Sequence, residues 1–464
     1  VTGSRASEGE GGSALDAAGD LAGYLLLEGA QHAAAALSSR FAVARSRVAE
    51  AKLAWVSSAL EEVEELLSAY AARGARYSPA KLAGALAEVF ARSRAGRADG
   101  ALPARVVLGL NEVEETKLDH VRLLSLGARL FADGRERGVE VLLADPGAAG
   151  LLVLRRAYTY PDGQPPEDGP DLGRRLAAPG ASVEVLAKGQ VVTTGAVRRP
   201  NRQVVFSPRG LQRTSVTPQS GDWSILPAPL LVTDVSALEE TLRGRPPRAL
   251  RPRLLAENVF AFAVSRVVEV SYAPGAQAVR AKLEDPGGRP FSLELAHRRV
   301  APGALDALAA GLEGQPGRIR YVSGDARRTA QGLVVEPIAL ACEGGRVVVL
   351  DLQPATGVSP ARTEEESSEL PPLAAALAQV EGCLADATHQ GLRHVTPAWR
   401  ERLGGCATRT KELGMKRLAE TLEALGERLA AARASGREED EAALSAAWAD
   451  AALRVSVALE QLAG

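Results

Sequence analysis

Leu143-Ala144-Asp145-Pro146-Gly147 returns as Leu283-Glu284-Asp285-Pro286-Gly287, and Gly195-Ala196-Val197-Arg198-Arg199 returns as Gly324-Asp325-Ala326-Arg327-Arg328. Val204-Val205 and Val334-Val335 follow the second motif in each copy, each with a proline soon after. Asp-Pro-Gly is turn chemistry, because Asp bonds its own backbone, Pro presets φ and Gly accepts positive φ. A turn kept at one place between β-rich runs marks an internal repeat. The first copy reads as strands over 121–131, 138–144 and 151–160, a short helix over 172–177, and strands over 182–186, 191–198 and 203–206. The second reads as strands over 260–272, 278–283 and 291–296, a helix over 302–312, and strands over 318–327, 333–341 and 346–350. Three strands, a helix and two strands is the order of an oligonucleotide/oligosaccharide-binding (OB) barrel, although two sandwich-like sheets accept the same order. The spacing between the motifs differs by about eleven residues, which the Pro/Gly/Asp-rich loop 161–170 absorbs.

Working outward, 15–72 has no proline and repeats apolar residues three and four apart, as in Leu53, Val56, Leu60, Val63 and Leu67, the pattern of amphipathic helix. Ser78-Pro79 supplies an N-cap and a first helical position for a helix to about Arg94. After the second copy, 373–391, 397–403, 408–434 and 438–462 read as helices, with Thr396 as a cap and Gly436 as a break. The fold class expected is α+β multidomain, with N-terminal helices, two repeated small OB-like β-barrel modules and a C-terminal helical bundle. The boundaries expected are a disordered tail 1–13, an N-terminal helical region 14–120, β module one 121–210, a bridging segment 211–254, β module two 255–352, a flexible linker 353–372 and the C-terminal bundle 373–464.

Composition narrows the function classes. The chain has 464 residues, 46% hydrophobic and 24% charged, with a formal net charge of −2. That suits a soluble multidomain protein and argues against constitutive nucleic-acid coating. Three cysteines at 342, 383 and 406 make no disulfide framework, and with a start that reads as a polar tail the location expected is the cytoplasm, with no membrane span expected. No phosphate-cradling G-x-x-x-x-G-K-[ST] loop, no G-x-G-x-x-G after a strand, no G-x-S-x-G elbow and no H-E-x-x-H pair is present. Histidines 32, 120, 297, 389 and 394 are scattered. No catalytic residue and no cofactor is expected. Cys383, His389, His394 and Cys406 have zinc-ligand chemistry but match no standard spacing, so no metal is expected either.

Arginine pairs are the feature with binding meaning, since a barrel that holds single strands needs a basic groove with stacking aromatics. For that use the candidates are Arg155, Arg156, Arg198, Arg199, Arg327, Arg328, Tyr158 and Tyr321, and the first β region carries an excess of basic residues. The competing reading places the aromatics inside the barrels and the arginines on outward positions.

The phrases Arg122-Leu123-Leu124-Ser125-Leu126-Gly127, Ala228-Pro229-Leu230-Leu231-Val232, Leu250-Arg251-Pro252-Arg253-Leu254-Leu255-Ala256-Glu257-Asn258 and Gly391-Leu392-Arg393-His394-Val395-Thr396-Pro397 resemble uncharacterised proteins of GC-rich bacteria. The C-terminal helical part is similar to helical regions of SWIM zinc-finger proteins, which are grouped with MoxR-type AAA ATPases and von Willebrand A proteins. The C-x-C and C-x-H zinc elements of SWIM domains are absent here, so zinc and DNA binding do not carry over. Helical ends with exposed apolar stripes are docking surfaces, so a non-enzymatic adaptor is expected, and the resemblance implies a MoxR-type ATPase or a von Willebrand A protein as its protein partner. The alternatives are a single-stranded nucleic-acid binder using tandem OB-like modules and, third, an enzyme with a site assembled across domains.

Overall fold

The computed structural model describes residues 10–32, 37–74, 76–98, 100–207, 214–329, 331–357 and 371–462. Most of the expected tail and tether lies outside them, but the helix α1 (Glu10–Glu28) already begins within the tail expected over 1–13. The chain divides into two compact units. One takes 1–112, 246–253 and 369–462; the other takes 113–245 and 254–368.

The helical unit contains α1, α2 (Leu37–Glu50), α3 (Ala54–Ala71), α4 (Pro79–Ala95) and α5 (Ala104–Leu108). Later helices of the chain, α10 (Pro372–Gln390), α11 (Pro397–Glu412), α12 (Lys416–Ser435) and α13 (Glu438–Leu462), complete it. The expectation of separate N-terminal and C-terminal bundles is therefore corrected. Leu15, Leu25, Val56, Leu60, Leu82 and Leu86 from the first set share one core with Leu377, Trp399, Leu422 and Trp448 from the second. Helices of each set pack on one another, and part of the apolar face of each set is also buried against the other. Thr396 caps α11 through a hydrogen bond from Trp399 N, whereas Ser78 makes no side-chain cap on α4.

Two glycines make the junction. Gly29 and Gly391, at φ +75° and +88°, follow α1 and α10, and a Cβ on Gly29 would lie 2.2 Å from Gly391 N. Their neighbours bond across the contact, Ala30 N to Thr388 O at 3.0 Å and Leu392 N to Leu26 O at 3.0 Å. The Pro/Arg-rich stretch expected as a bridge is also drawn in. Arg92, fully buried on α4, pairs with Glu88 at 2.7 Å and donates to the carbonyls of Val107 and Arg251, fixing 246–253 to this unit.

The β unit contains both repeats. In the first, β1 (Thr116–Leu118) precedes a meander of β2 (Val121–Asp133), β3 (Glu136–Asp145) and β4 (Gly150–Thr159). Then come α6 (Gly169–Arg174), the hairpin β5 (Leu176–Ala178) and β6 (Ala181–Ser182), and α7 (Val183–Ala187). Residues 182–186, expected as a strand, are mostly helix because Ser182 Oγ caps Val185 N and the buried Val183, Leu186 and Ala187 recur at helical spacing. β7 (Gly189–Thr193) and β8 (Ala196–Arg198) form a fourth strand; β9 (Val204–Phe206) and β10 (Thr214–Pro218) form a fifth. β2 pairs β3 and β7, β7 pairs β10, β8 pairs β9, and a parallel bridge joins Val153 on β4 to Gln203 beside β9. Strand five thus extends into the segment expected as a bridge.

The second repeat follows β11 (Leu231–Val232) and α8 (Val235–Arg243), which Asp234 caps through Ser236 N and Ala237 N. Its first strand bends into β12 (Val259–Ala263) and β13 (Arg266–Ala273). β14 (Ala278–Glu284), β15 (Pro290–Ala296), α9 (Ala304–Leu312), β16 (Ile319–Thr329), β17 (Gly332–Cys342) and β18 (Arg346–Val349) complete it. The order β12-β16-β17-β15-β14-β13 starts and ends on the halves of one strand, with β15 and β17 parallel, which closes an OB barrel. Both repeats therefore use the pairing order 1-2-3-5-4-1. One hydrophobic core spans them, including Leu126, Val141 and Leu154 of the first and Phe262, Leu293 and Leu340 of the second.

Candidate binding faces of the two barrels

Successive residues of a strand point to opposite faces, so two adjacent arginines cannot share one. Arg155 turns outward and its Nε donates to Glu140 Oε1 at 2.6 Å; Arg156 turns the other way and donates to Ala177 O at 2.6 Å. Tyr158 follows Arg156, half-buried, with its hydroxyl donating to Leu176 O at 2.9 Å and its pKa raised by burial. In the second barrel Arg327 meets Glu294 at 2.6 Å. Its neighbour Arg328 lies near Arg243 and Glu239, and burial followed by Arg243 lowers its pKa. Tyr321 is buried 6.2 Å from Trp223 between ring centroids, and its hydroxyl donates to Asp222 at 3.4 Å. The eight candidates thus form no single basic groove, and the two tyrosines offer no open stacking face.

Arg198 and Arg199 lie on the connection between strands four and five, a loop region that OB domains use for ligands. Arg199 faces Glu115 at 4.0 Å. Arg198 shares its surroundings with Arg202 and Arg245, two arginines that sequence reading missed. Burial, then Arg198, lowers the Arg202 pKa, and Arg245 adds to that effect against Glu257. Arg245 also donates to Asn258 Oδ1 at 2.6 Å.

The other OB ligand region is the outer face of strands two and three. In the first barrel, Arg129, Glu140 and Arg155 stand directly opposite one another on β2, β3 and β4. Glu140 receives both arginines, and Arg129 reaches Asp325 as well at 3.1 Å. The next row on the same face is Phe131, Gly138 and Ala157. Phe131 is 43% exposed, Gly138 places no side chain beside it, and Arg129 lies 5.5 Å from its ring centroid. The second barrel has a related row, Arg280–Glu294 at 3.2 Å and Glu294–Arg327, with Lys282–Glu269 at 3.3 Å beside it. Its aromatics Phe260, Phe262 and Phe291 are in the core.

Phe131, Gly138 and Ala157 were missed although the signal was in the sequence. The Asp133-Gly134 turn fixes the β2–β3 register, and counting back by twos from it puts Phe131 and Arg129 on one face. Of the metal candidates, Cys383 and Cys406 lie together, whereas His389 bonds Tyr77 and Gln31, and His394 bonds Glu28. Among the described residues no group of three or more His, Cys, Asp or Glu is placed to hold a metal ion.

Residues 12–109 match the YehQ four-helical bundle domain, and residues 256–372 match the YehQ C-terminal OB-fold domain. Protein YehQ of Escherichia coli (strain K12) is 30% identical over 295 residues, which is 61% of this chain and 47% of that protein. The chain thus spans about half the length of this curated relative. The chain is thus similar to protein YehQ, and its two matched segments are similar to the four-helical bundle domain and the C-terminal OB-fold domain of that protein.

Proposed function

We propose that the protein is a non-enzymatic cytoplasmic adaptor that binds another protein through the outer face of its first barrel. The observation that carries this reading is Phe131, exposed above Gly138 and Ala157 and bordered by an Arg–Glu–Arg row that Asp325 brings to charge balance. An apolar centre with a neutralised polar rim suits an apolar side chain of a partner, where a phosphate backbone needs unmatched positive charge. The resemblance to proteins grouped with ATPase systems supports a MoxR-type ATPase or a von Willebrand A protein as that partner. The test is a titration of the purified full chain with each of these proteins. Binding is expected to one of them and to weaken at least about tenfold in Phe131→Glu, as a central contact does. Equal binding by the variant removes the face from the proposal, and no binding to either removes the ATPase assembly.

A second reading rests on Arg198 at the end of β8 and Arg202 in the connection to β9, with Arg245, just past α8, acting on Arg202 as well. It makes this barrel a single-stranded nucleic-acid binder. Fluorescence anisotropy with labelled single-stranded DNA and RNA decides it. Saturable binding that falls steeply with salt and is lost in Arg198→Ala/Arg202→Ala favours this reading, and no binding at low salt eliminates it.

A further inference from the structure

Cys383 on α10 and Cys406 on α11 are both buried in the core of the helical unit, on two helices joined by contacts one turn from each of them, and each thiol shifts the titration of the other. The surroundings hold them there. Trp399, fully buried, donates its Nε1–H to the Cys383 carbonyl at 2.7 Å, and Arg402 pairs with Asp386 at 2.8 Å one turn from each cysteine. The third cysteine, Cys342, lies in the β unit at the end of β17. Nothing in the adaptor reading uses this thiol pair.

We propose that Cys383 and Cys406 are a redox-modification site, which a low-molecular-weight disulfide such as oxidised glutathione converts into an intramolecular disulfide joining α10 to α11. The two cysteines have distinct parts. Cys406 is the more exposed, 8% against 3% for Cys383. Hydrogen bonding from Cys383 pulls the Cys406 thiol below its ordinary range against the opposing effect of burial, with Arg402 helping. The same hydrogen bond and burial push Cys383 up. Cys406 is therefore the thiolate that attacks, because nucleophilicity belongs to the deprotonated sulfur. Its sulfur bonds to one sulfur of the reagent and expels the other half as a thiol. Cys383 then loses its proton to solvent, its sulfur attacks that of Cys406, and the second reagent thiol leaves. Two protein thiols are oxidised and one reagent disulfide is reduced to two thiols, so electrons and protons balance.

The test uses the full native chain, incubated with oxidised glutathione, then denatured and titrated with a maleimide. Three reactive thiols are expected before treatment and one after it, mapped by mass spectrometry to Cys342. Cys383→Ser is expected to stop at a glutathione adduct on Cys406, and Cys406→Ser to leave Cys383 unmodified. The oxidised wild type is expected to melt roughly 5 °C or more above the reduced form, as a closed loop of this size confers. Retention of all three thiols in the native protein, disulfide-linked dimers in place of the internal bond, or a lower melting temperature after oxidation would each overturn the proposal.

Discussion

The two barrels share a strand order but differ in how they close and in what they show to solvent. In the second, β12 and β16 pair over Val259–Ala263, and β15 meets β17 in parallel at Ser292 and Leu293. In the first, strands three and five meet, among the described residues, at a bridge between Val153 and Gln203. The same turn aspartate serves both. Asp145 Oδ1 accepts from Gly147 N and Ala148 N, and Asp285 Oδ1 accepts from Gly287 N and Arg289 N. Asp285, 1% exposed, also accepts from Val235 N through its other oxygen. The repeat has kept the turn that orders the strands, while burial around each turn and the side chains on each outer face have diverged. Topology was conserved by local backbone chemistry, and binding capacity was free to separate.

Paired substitutions test that separation, each read by native-state hydrogen exchange in the strands concerned. The largest difference is expected at the central glutamates. Glu140, with a side chain 6% exposed between two arginines, should lose about 2 kcal/mol on change to Ala, because the partly buried Arg129 and the exposed Arg155 lose their shared partner. Glu294, 30% exposed between Arg280 and Arg327, should lose under about 1 kcal/mol. Equal losses would show that the two faces are energetically alike.

The turn aspartates come next. Asp285→Ala should cost about 2 kcal/mol, since it orphans the buried Val235 N–H as well as opening the turn. Asp145→Ala should cost about half as much, because its turn is exposed and water replaces the carboxylate.

A third test concerns support given by one repeat to the other. Asp351, from the turn that ends the second repeat, accepts from Leu130 N of β2 and pairs with Arg298 at 2.6 Å. Burial outweighs Arg298 and Leu130 N–H and raises its pKa above the ordinary aspartate range. A raised folded pKa stabilises fully below the unfolded pKa, near 4, and that contribution is lost as pH rises through the folded value. The stability advantage of wild type over Asp351→Asn should therefore shrink as pH increases from about 4; a constant difference would show that Arg298 holds the charge at no cost. The smallest effect on stability belongs to Phe131→Ala, within about 0.5 kcal/mol because the ring is already exposed, while partner binding should fall sharply.

Much of this architecture was legible because it is local. The Asp-Pro-Gly turns, the Asp234 and Thr396 caps and the alternating strands are set by neighbours in sequence, and the observed elements lie where those signals put them. What was hidden is non-local. Nothing in the periodicity of α1 says that its apolar stripe meets α10, because an amphipathic face specifies burial and not a partner. The C-terminal helices were expected as an independent bundle for that reason. The candidate site was legible only in part. Arginine pairs were read as one basic feature, yet Arg155 and Arg156 diverge by the strand's own period, and the proposed face rests on the aromatic two positions beyond Arg129. Register, once fixed at the Asp133-Gly134 turn, carries more functional information than composition does.

The shared core of α1–α4 with α10–α13 sets an order of events during synthesis. The helices α1–α4 leave the ribosome well before their core partners are translated, and at ordinary elongation rates the wait is on the order of 20–70 s. Both barrels can close in that interval, since the β unit draws on the intervening chain. The apolar surface of α1–α4 that meets α10–α13 stays uncovered throughout, which makes this interval the one in which a holding chaperone has something to hold.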